Sequence, residues 1–130
     1  MPLEVFVVTP ERELWTGAAK MVVARGSEGE VGILSGHAPL LVQLGIGPLY
    51  IHTDGERMAA AIDGGFLHVM SDGMDTRVDI LAEHAELERD IDVARAQQQK
   101  EEAERRLREQ DDAEAAAELS KALTRLNLRG

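Results

Sequence analysis

Apolar residues along the first 82 positions gather in short runs separated by turn formers, whereas the last 45 or so recur at helical spacing. Residues 3–8, Leu-Glu-Val-Phe-Val-Val, are rich in strand formers and end at Thr9-Pro10. Residues 20–24 form a second run, closed by Arg25-Gly26-Ser27-Glu28-Gly29. Further runs at 31–34, 40–44, 48–52, 58–62, 66–70 and 76–81 predict more short strands. Asp54-Gly55 and Asp72-Gly73 sit between runs and predict hairpin turns. Eight short strands at this spacing predict a sandwich or flattened barrel.

The pattern changes near residue 83. Eleven of the 12 glycines and all four prolines precede it, and residues 83–129 contain neither. Loss of both strong helix breakers predicts helix. Residues 91–109 make one helix, Gln110-Asp111-Asp112 the turn, and 113–126 a second helix capped by Asp112. Ala116, Leu119, Leu123 and Leu126 recur at spacings of 3, 4 and 3, which predicts an apolar seam on the second helix. The first helix offers only Ile91, Val93 and Leu107 as large apolar residues, so weak anchoring of the hairpin is expected. The fold class is therefore α+β: an N-terminal antiparallel β-sandwich over residues 1–84 and a C-terminal antiparallel helical hairpin over 85–130.

Composition narrows the function. Hydrophobic residues are 44% and aromatics 3%, which predicts an aliphatic core. A net charge of −10 repels phosphate backbones and anionic headgroups, so neither nucleic-acid binding nor direct membrane insertion is expected. No run of 18 apolar residues occurs, and the start resembles neither a signal nor a transit peptide; a cytoplasmic location is expected. There is no cysteine, and the four histidines stand 15 or 16 residues apart, which excludes local metal-ligand spacing. Gly26 to Gly32 lacks the Gly-Lys-Ser/Thr ending of a phosphate loop, and Ser35 beside His37 lacks the nucleophile elbow. No catalytic residues, no metal site and no required cofactor are expected.

Three segments resemble the epsilon subunits of rotary, F-type ATP synthases. Gly29-Glu30-Val31-Gly32-Ile33-Leu34-Ser35-Gly36-His37-Ala38-Pro39-Leu40 is similar to that family's glycine-rich motif, with Ser35 where proline is usual. Asp63-Gly64-Gly65-Phe66 resembles its Gly-Gly-Phe strand entry. Ile91-Asp92-Val93-Ala94-Arg95-Ala96 resembles the Ile/Leu-Asp-x-x-Arg-Ala pattern of members that bind ATP. The resemblance implies a non-catalytic central-stalk subunit at the cytoplasmic face of the cell membrane. Its sandwich would dock on gamma and the c ring, with Glu30, Ser35 and His37 as rotor contacts. Its hairpin would reach the alpha and beta subunits when extended and restrain ATP hydrolysis. ATP is implied as a weak regulatory ligand, held by Glu86, Asp92, Arg95, Ala96, Lys121 and Arg125. Glu102 stands where good ATP binders of the family carry an arginine. On the residues alone, Asp92 serves as well to favour a helix start and to pair with Arg95 at i,i+3. Two other classes stay open: a free-standing nucleotide-sensing module, and a coiled-coil adaptor.

Overall fold

The computed structural model describes residues 2–73 and 75–129; Met1 and Gly130, the ends of the two expected domains, lie outside the described residues, as does Met74. Eight strands come first: β1 (Leu3–Val8), β2 (Glu13–Ala19), β3 (Met21–Gly26), β4 (Gly29–Leu34), β5 (Leu40–His52), β6 (Arg57–Asp72), β7 (Asp75–Ala82) and β8 (Ala85–Leu87). A single 3-10 turn (Glu88–Asp90) leads to helices α1 (Val93–Glu109) and α2 (Ala113–Arg129).

The strand order is β2-β1-β7-β6-β5-β3-β4, with β8 also paired to β6. All pairs are antiparallel except β1 with β7. The long strands β5 and β6 pair from Leu40 with Val69 to His52 with Arg57 and carry different neighbours at their two ends. On β6, residues 60–62 pair with β8, whereas 65–72 pair with β7. The change falls at Gly64 and Gly65, whose φ values of +91° and +135° suit glycine. A Cβ on Gly65 would lie 2.2 Å from the Leu81 carbonyl oxygen, so the close approach of β6 to β7 needs a bare Cα.

Inward residues alternate along the strands as the period of two requires. Leu3, Val5 and Val7 of β1 meet Val78 and Ile80 of β7, Leu67 and Val69 of β6, Leu49 and Ile51 of β5, Val22 of β3 and Ile33 of β4 in one aliphatic core. The expected β-sandwich followed by a helical hairpin is what the chain forms. Several boundaries differ. Runs expected at 40–44 and 48–52 are one strand, β5, as are those at 58–62 and 66–70, β6. The sheet also extends past residue 84: β8 pairs with β6 and buries Leu87.

The hairpin's seam is corrected too. Ala116 and Leu123 are exposed, Leu119 and Leu126 are half-buried, and Ala115 and Ala122 are fully covered. The stripe that packs runs through 115, 119, 122 and 126, one helical position away from half of the expected seam. On α1 the covered residues are Ala96 and Ala103, one heptad apart. Small side chains on both helices let the backbones approach closely, so alanine rather than leucine marks the contact. α2 packs on β5 and β6 of the sheet, and α1 packs chiefly on α2.

Candidate functional site

Helix α1 starts at Val93 because Asp92 caps it: the Asp92 carboxylate accepts from the Arg95 backbone N–H at 3.1 Å. Buried Ile91 precedes the cap, at the position that staples a helix start to Ala96. The expected Asp92–Arg95 pair therefore runs through backbone, not through an ion pair of side chains. Asp112 caps α2 in the same way, accepting from Ala115 N–H at 3.0 Å, and Arg106 of α1 donates to its other oxygen at 2.8 Å. The Ala115 amide, followed by the Arg106 guanidinium, holds the Asp112 carboxyl below its usual range.

The Asp92 cap sets one end of a cavity of about 430 Å³ between the sheet and both helices. All six candidate hairpin residues line it: Glu86 from β8, Asp92, Arg95 and Ala96 from the start of α1, and Lys121 and Arg125 from α2. It also takes in Asp63, Glu83, His84, Gln99 and Glu118, which the sequence reading did not place there.

Arg125 is the buried centre of this site. Its Nη1 and Nη2 donate to the two oxygens of Asp63 at 3.0 and 2.8 Å, and its Nε donates to Glu86 at 2.7 Å. Nη1 also donates to the Lys121 carbonyl at 3.0 Å. The Arg125 and Asp63 side chains are only 8% and 6% exposed. Burial opposes the charge on Arg125, but its hydrogen bonds to Asp63 and Glu86 prevail and raise its pKa. Asp63 is fixed in turn by its strand, where its own N–H donates to the His84 carbonyl at 2.9 Å. An acid closing the run Ala59-Ala60-Ala61-Ile62 was the available signal that its partner is a buried cation.

The cavity is acidic: carboxylates of Asp63, Glu83, Glu86, Asp92 and Glu118 face the cations of Arg95, Lys121 and Arg125. Lys121 pairs with Glu118 at 3.2 Å. Among the described residues, Arg95 alone of these cations has no side-chain ion pair. Glu102 is beside Arg95 in the neighbouring groove and pairs with Arg105, whose hydrogen bond lowers the Glu102 pKa.

The glycine-rich segment holds Glu30, Ser35 and His37, but not together. Glu30 lies opposite Arg25 near the β3–β4 turn, and His37 follows the other end of β4. The turn after β4 is tied to the sheet: Gly36 N–H donates to Thr76 Oγ1 at 2.8 Å, and Ser71 Oγ donates to the His37 carbonyl at 2.6 Å. Ser35 is exposed, and His37 Nδ1 lies 2.8 Å from the Ala38 carbonyl.

A third feature escaped the sequence reading. Phe66, His68 and Met70 share the outer face of β6; Leu81 of β7 pairs with Phe66, and Leu41 of β5 with His68. Leu41, Phe66, Met70 and Leu81 are exposed by 66%, 48%, 41% and 51%. An apolar recess of about 340 Å³ lined by Val8, Pro10, Phe66 and Leu81 continues this face. No described helix is long and apolar enough to cross a membrane.

Residues 2–88 match the family described as "ATP synthase, Delta/Epsilon chain, beta-sandwich domain", and residues 89–130 match its "long alpha-helix domain". The ATP synthase epsilon chain of Brevibacillus brevis is 48% identical over 108 residues, covering 82% of this chain and 79% of that one. The epsilon chain of Nitratidesulfovibrio vulgaris is 39% identical over 132 residues, covering 98% and 96%. A chain of the Euglena gracilis mitochondrial ATP synthase, solved as an OSCP/F1/c-ring assembly, superposes with a TM-score of 0.78 at 28% identity, covering 94% of this chain and 79% of that chain. The two matched domains together span the chain from residue 2 to its end, in the order sandwich then hairpin, and the chain belongs to the delta/epsilon family of F-type ATP synthases, a non-catalytic subunit.

Proposed function

We propose that this subunit completes the rotor by docking its sandwich on gamma and the c ring, and that its hairpin is a movable brake on ATP hydrolysis. The observation that carries the docking is the apolar strip Leu41, Phe66, Met70 and Leu81 on the outer face of β5, β6 and β7. A cluster of exposed apolar side chains, set among His68, Arg77 and Asp79 of the same face, on a chain of net charge −10 is a contact surface for another protein. Glu30 and His37, at opposite ends of β4, then meet the rotor at two separate points rather than as one contact. Such a subunit works at the cytoplasmic face of the cell membrane, held there by its complex.

The brake follows from how the hairpin is held. Its covered apolar residues are Ala96, Ala103, Ala115 and Ala122, which contribute less apolar burial than leucines would. Release from the sheet therefore forfeits little apolar burial and turns chiefly on opening the Arg125 pairs with Asp63 and Glu86, and an extended hairpin meets the alpha and beta subunits. ATP is the regulatory ligand of the cavity, with Arg95 as the available cation and Asp92 and Glu86 as acceptors for adenine or ribose. The acidic lining makes its binding weak. Deleting residues 88–130 from the assembled enzyme tests the brake: hydrolysis should rise while synthesis is largely kept, and an unchanged hydrolysis rate refutes it.

A further inference from the structure

We propose that Asp63 is an internal ligand for Arg125, which latches α2 to the sheet without nucleotide and competes with any anion that enters the cavity. The latch stands on geometry alone; the competition rests on the nucleotide reading above.

A guanidinium carries five N–H donors in a planar fork that fits a carboxylate or a phosphate equally well. Four donor contacts of Arg125 are in use within the chain: two to Asp63, one to Glu86 and one to the Lys121 carbonyl. The Asp63 carboxylate, 62 residues away in sequence, occupies the bidentate position that a phosphate would need. A phosphate could take that fork only by displacing Asp63 and leaving its carboxylate buried without a partner, which is strongly unfavourable. The same pair joins β6, in the middle of the sheet, to the last turns of α2. It is the most enclosed ion pair of the hairpin; the Arg105 pairs with Glu102 and Glu109 are half-exposed and lie within α1.

Two consequences separate this latch from a merely packed helix. Without ligand, α2 should stay docked through the ion pair, so neutralising Asp63 should loosen it. With ATP, the same change should free Arg125 and tighten binding.

The test uses the full chain as wild type, Asp63→Asn and Glu83→Gln, followed by amide hydrogen exchange over residues 119–126 and by calorimetric titration with ATP. Glu83 lines the same cavity, and no hydrogen bond joins its side chain to Arg125 among the described residues, so it controls for charge alone. Asp63→Asn should speed exchange at least tenfold and Glu83→Gln should not; unchanged exchange in Asp63→Asn overturns the latch. Should Asp63→Asn not fold, Glu86→Gln removes the second carboxylate on Arg125 and should speed the same amides by a smaller factor. Unchanged exchange there overturns the latch equally. In the titration, Asp63→Asn should bind ATP at least tenfold more tightly than wild type. Equal affinities, or an equal gain in Glu83→Gln, overturn the competition. No heat from any variant at millimolar ATP removes the nucleotide reading and the competition with it, while the exchange result still decides the latch.

Discussion

Replacing Phe66 with serine should separate docking from folding. The ring stands on the outer face of β6, opposite Leu81, and is 48% exposed. A phenylalanine buries about 150–250 Å² when fully enclosed, so roughly 100 Å² of Phe66 is free for a partner. At about 25 cal/mol per Å², covering that area contributes about 2.5 kcal/mol. Imperfect covering lowers this to about 1.5 kcal/mol, so Phe66→Ser should weaken binding to an epsilon-depleted complex by about 10- to 70-fold. The inward neighbours Leu67 and Val69 are untouched, so the isolated chain should keep its circular dichroism spectrum and lose only a few degrees in melting temperature. The assay is interferometry on immobilised depleted complex, paired with a thermal melt of the same preparation. Unchanged affinity for both Phe66→Ser and Leu81→Ser would refute the assignment of this face. Loss of affinity together with unfolding would do so too, since the effect would then be structural.

Three further expectations follow from the fold. Gly65→Ala adds a Cβ 2.2 Å from the Leu81 carbonyl oxygen and 2.8 Å from Ala82 Cα at φ +135°; backbone strain alone costs about 1–3 kcal/mol, and the melting midpoint should fall by about 10 °C or more. A fragment of residues 1–90 should fold by itself, whereas 1–84 loses β8 and the buried Leu87; its melt should show a deficit of about 1.5–3 kcal/mol. The cap at Asp112 has a folded pKa below its ordinary value, so its stabilisation is complete above about pH 4 and is lost as pH falls through the depressed value. The protection factor of the Ala115 amide, taken against the intrinsic exchange rate at each pH, should therefore fall only on acidification below that point, and a loss of protection near neutrality would contradict the cap.

The division into sandwich and hairpin was legible because glycine and proline stop at one point in the chain. Within the sandwich, Gly45 and Gly47 on β5 and Gly64 and Gly65 on β6 read as ends of strands, yet Gly47 and Gly65 are paired and the register resumes unshifted on either side of Gly45 and Gly64. Extended backbone at a glycine looks the same as a turn until the partner strand is known. β2 was missed because Glu13-Leu14-Trp15-Thr16-Gly17-Ala18-Ala19 is poor in branched residues and lies at the sheet edge, where burial does not demand them. β8, at three residues, is too short to show a period. The seam on α2 was misplaced because leucines were counted, while close packing chose Ala115 and Ala122.

The candidate site was legible residue by residue through resemblance, and the six hairpin residues do converge on one cavity. Its control was not. Asp63 and Arg125 are 62 residues apart, and nothing local joins a strand aspartate to a helix arginine. The apolar face of β6 was equally hidden, since outward phenylalanine and methionine in a strand read as core until the alternation is anchored by the residues between them.

The central claim is that this chain docks as a rotor subunit through its sandwich. The most direct measurement is capture of the tagged full-length chain from solubilised membranes of its own cells, with the co-purifying proteins identified by mass. Gamma, the c subunit, alpha and beta should be recovered together with the wild type and much less with Phe66→Ser. Recovery of the wild-type chain without gamma would contradict the account.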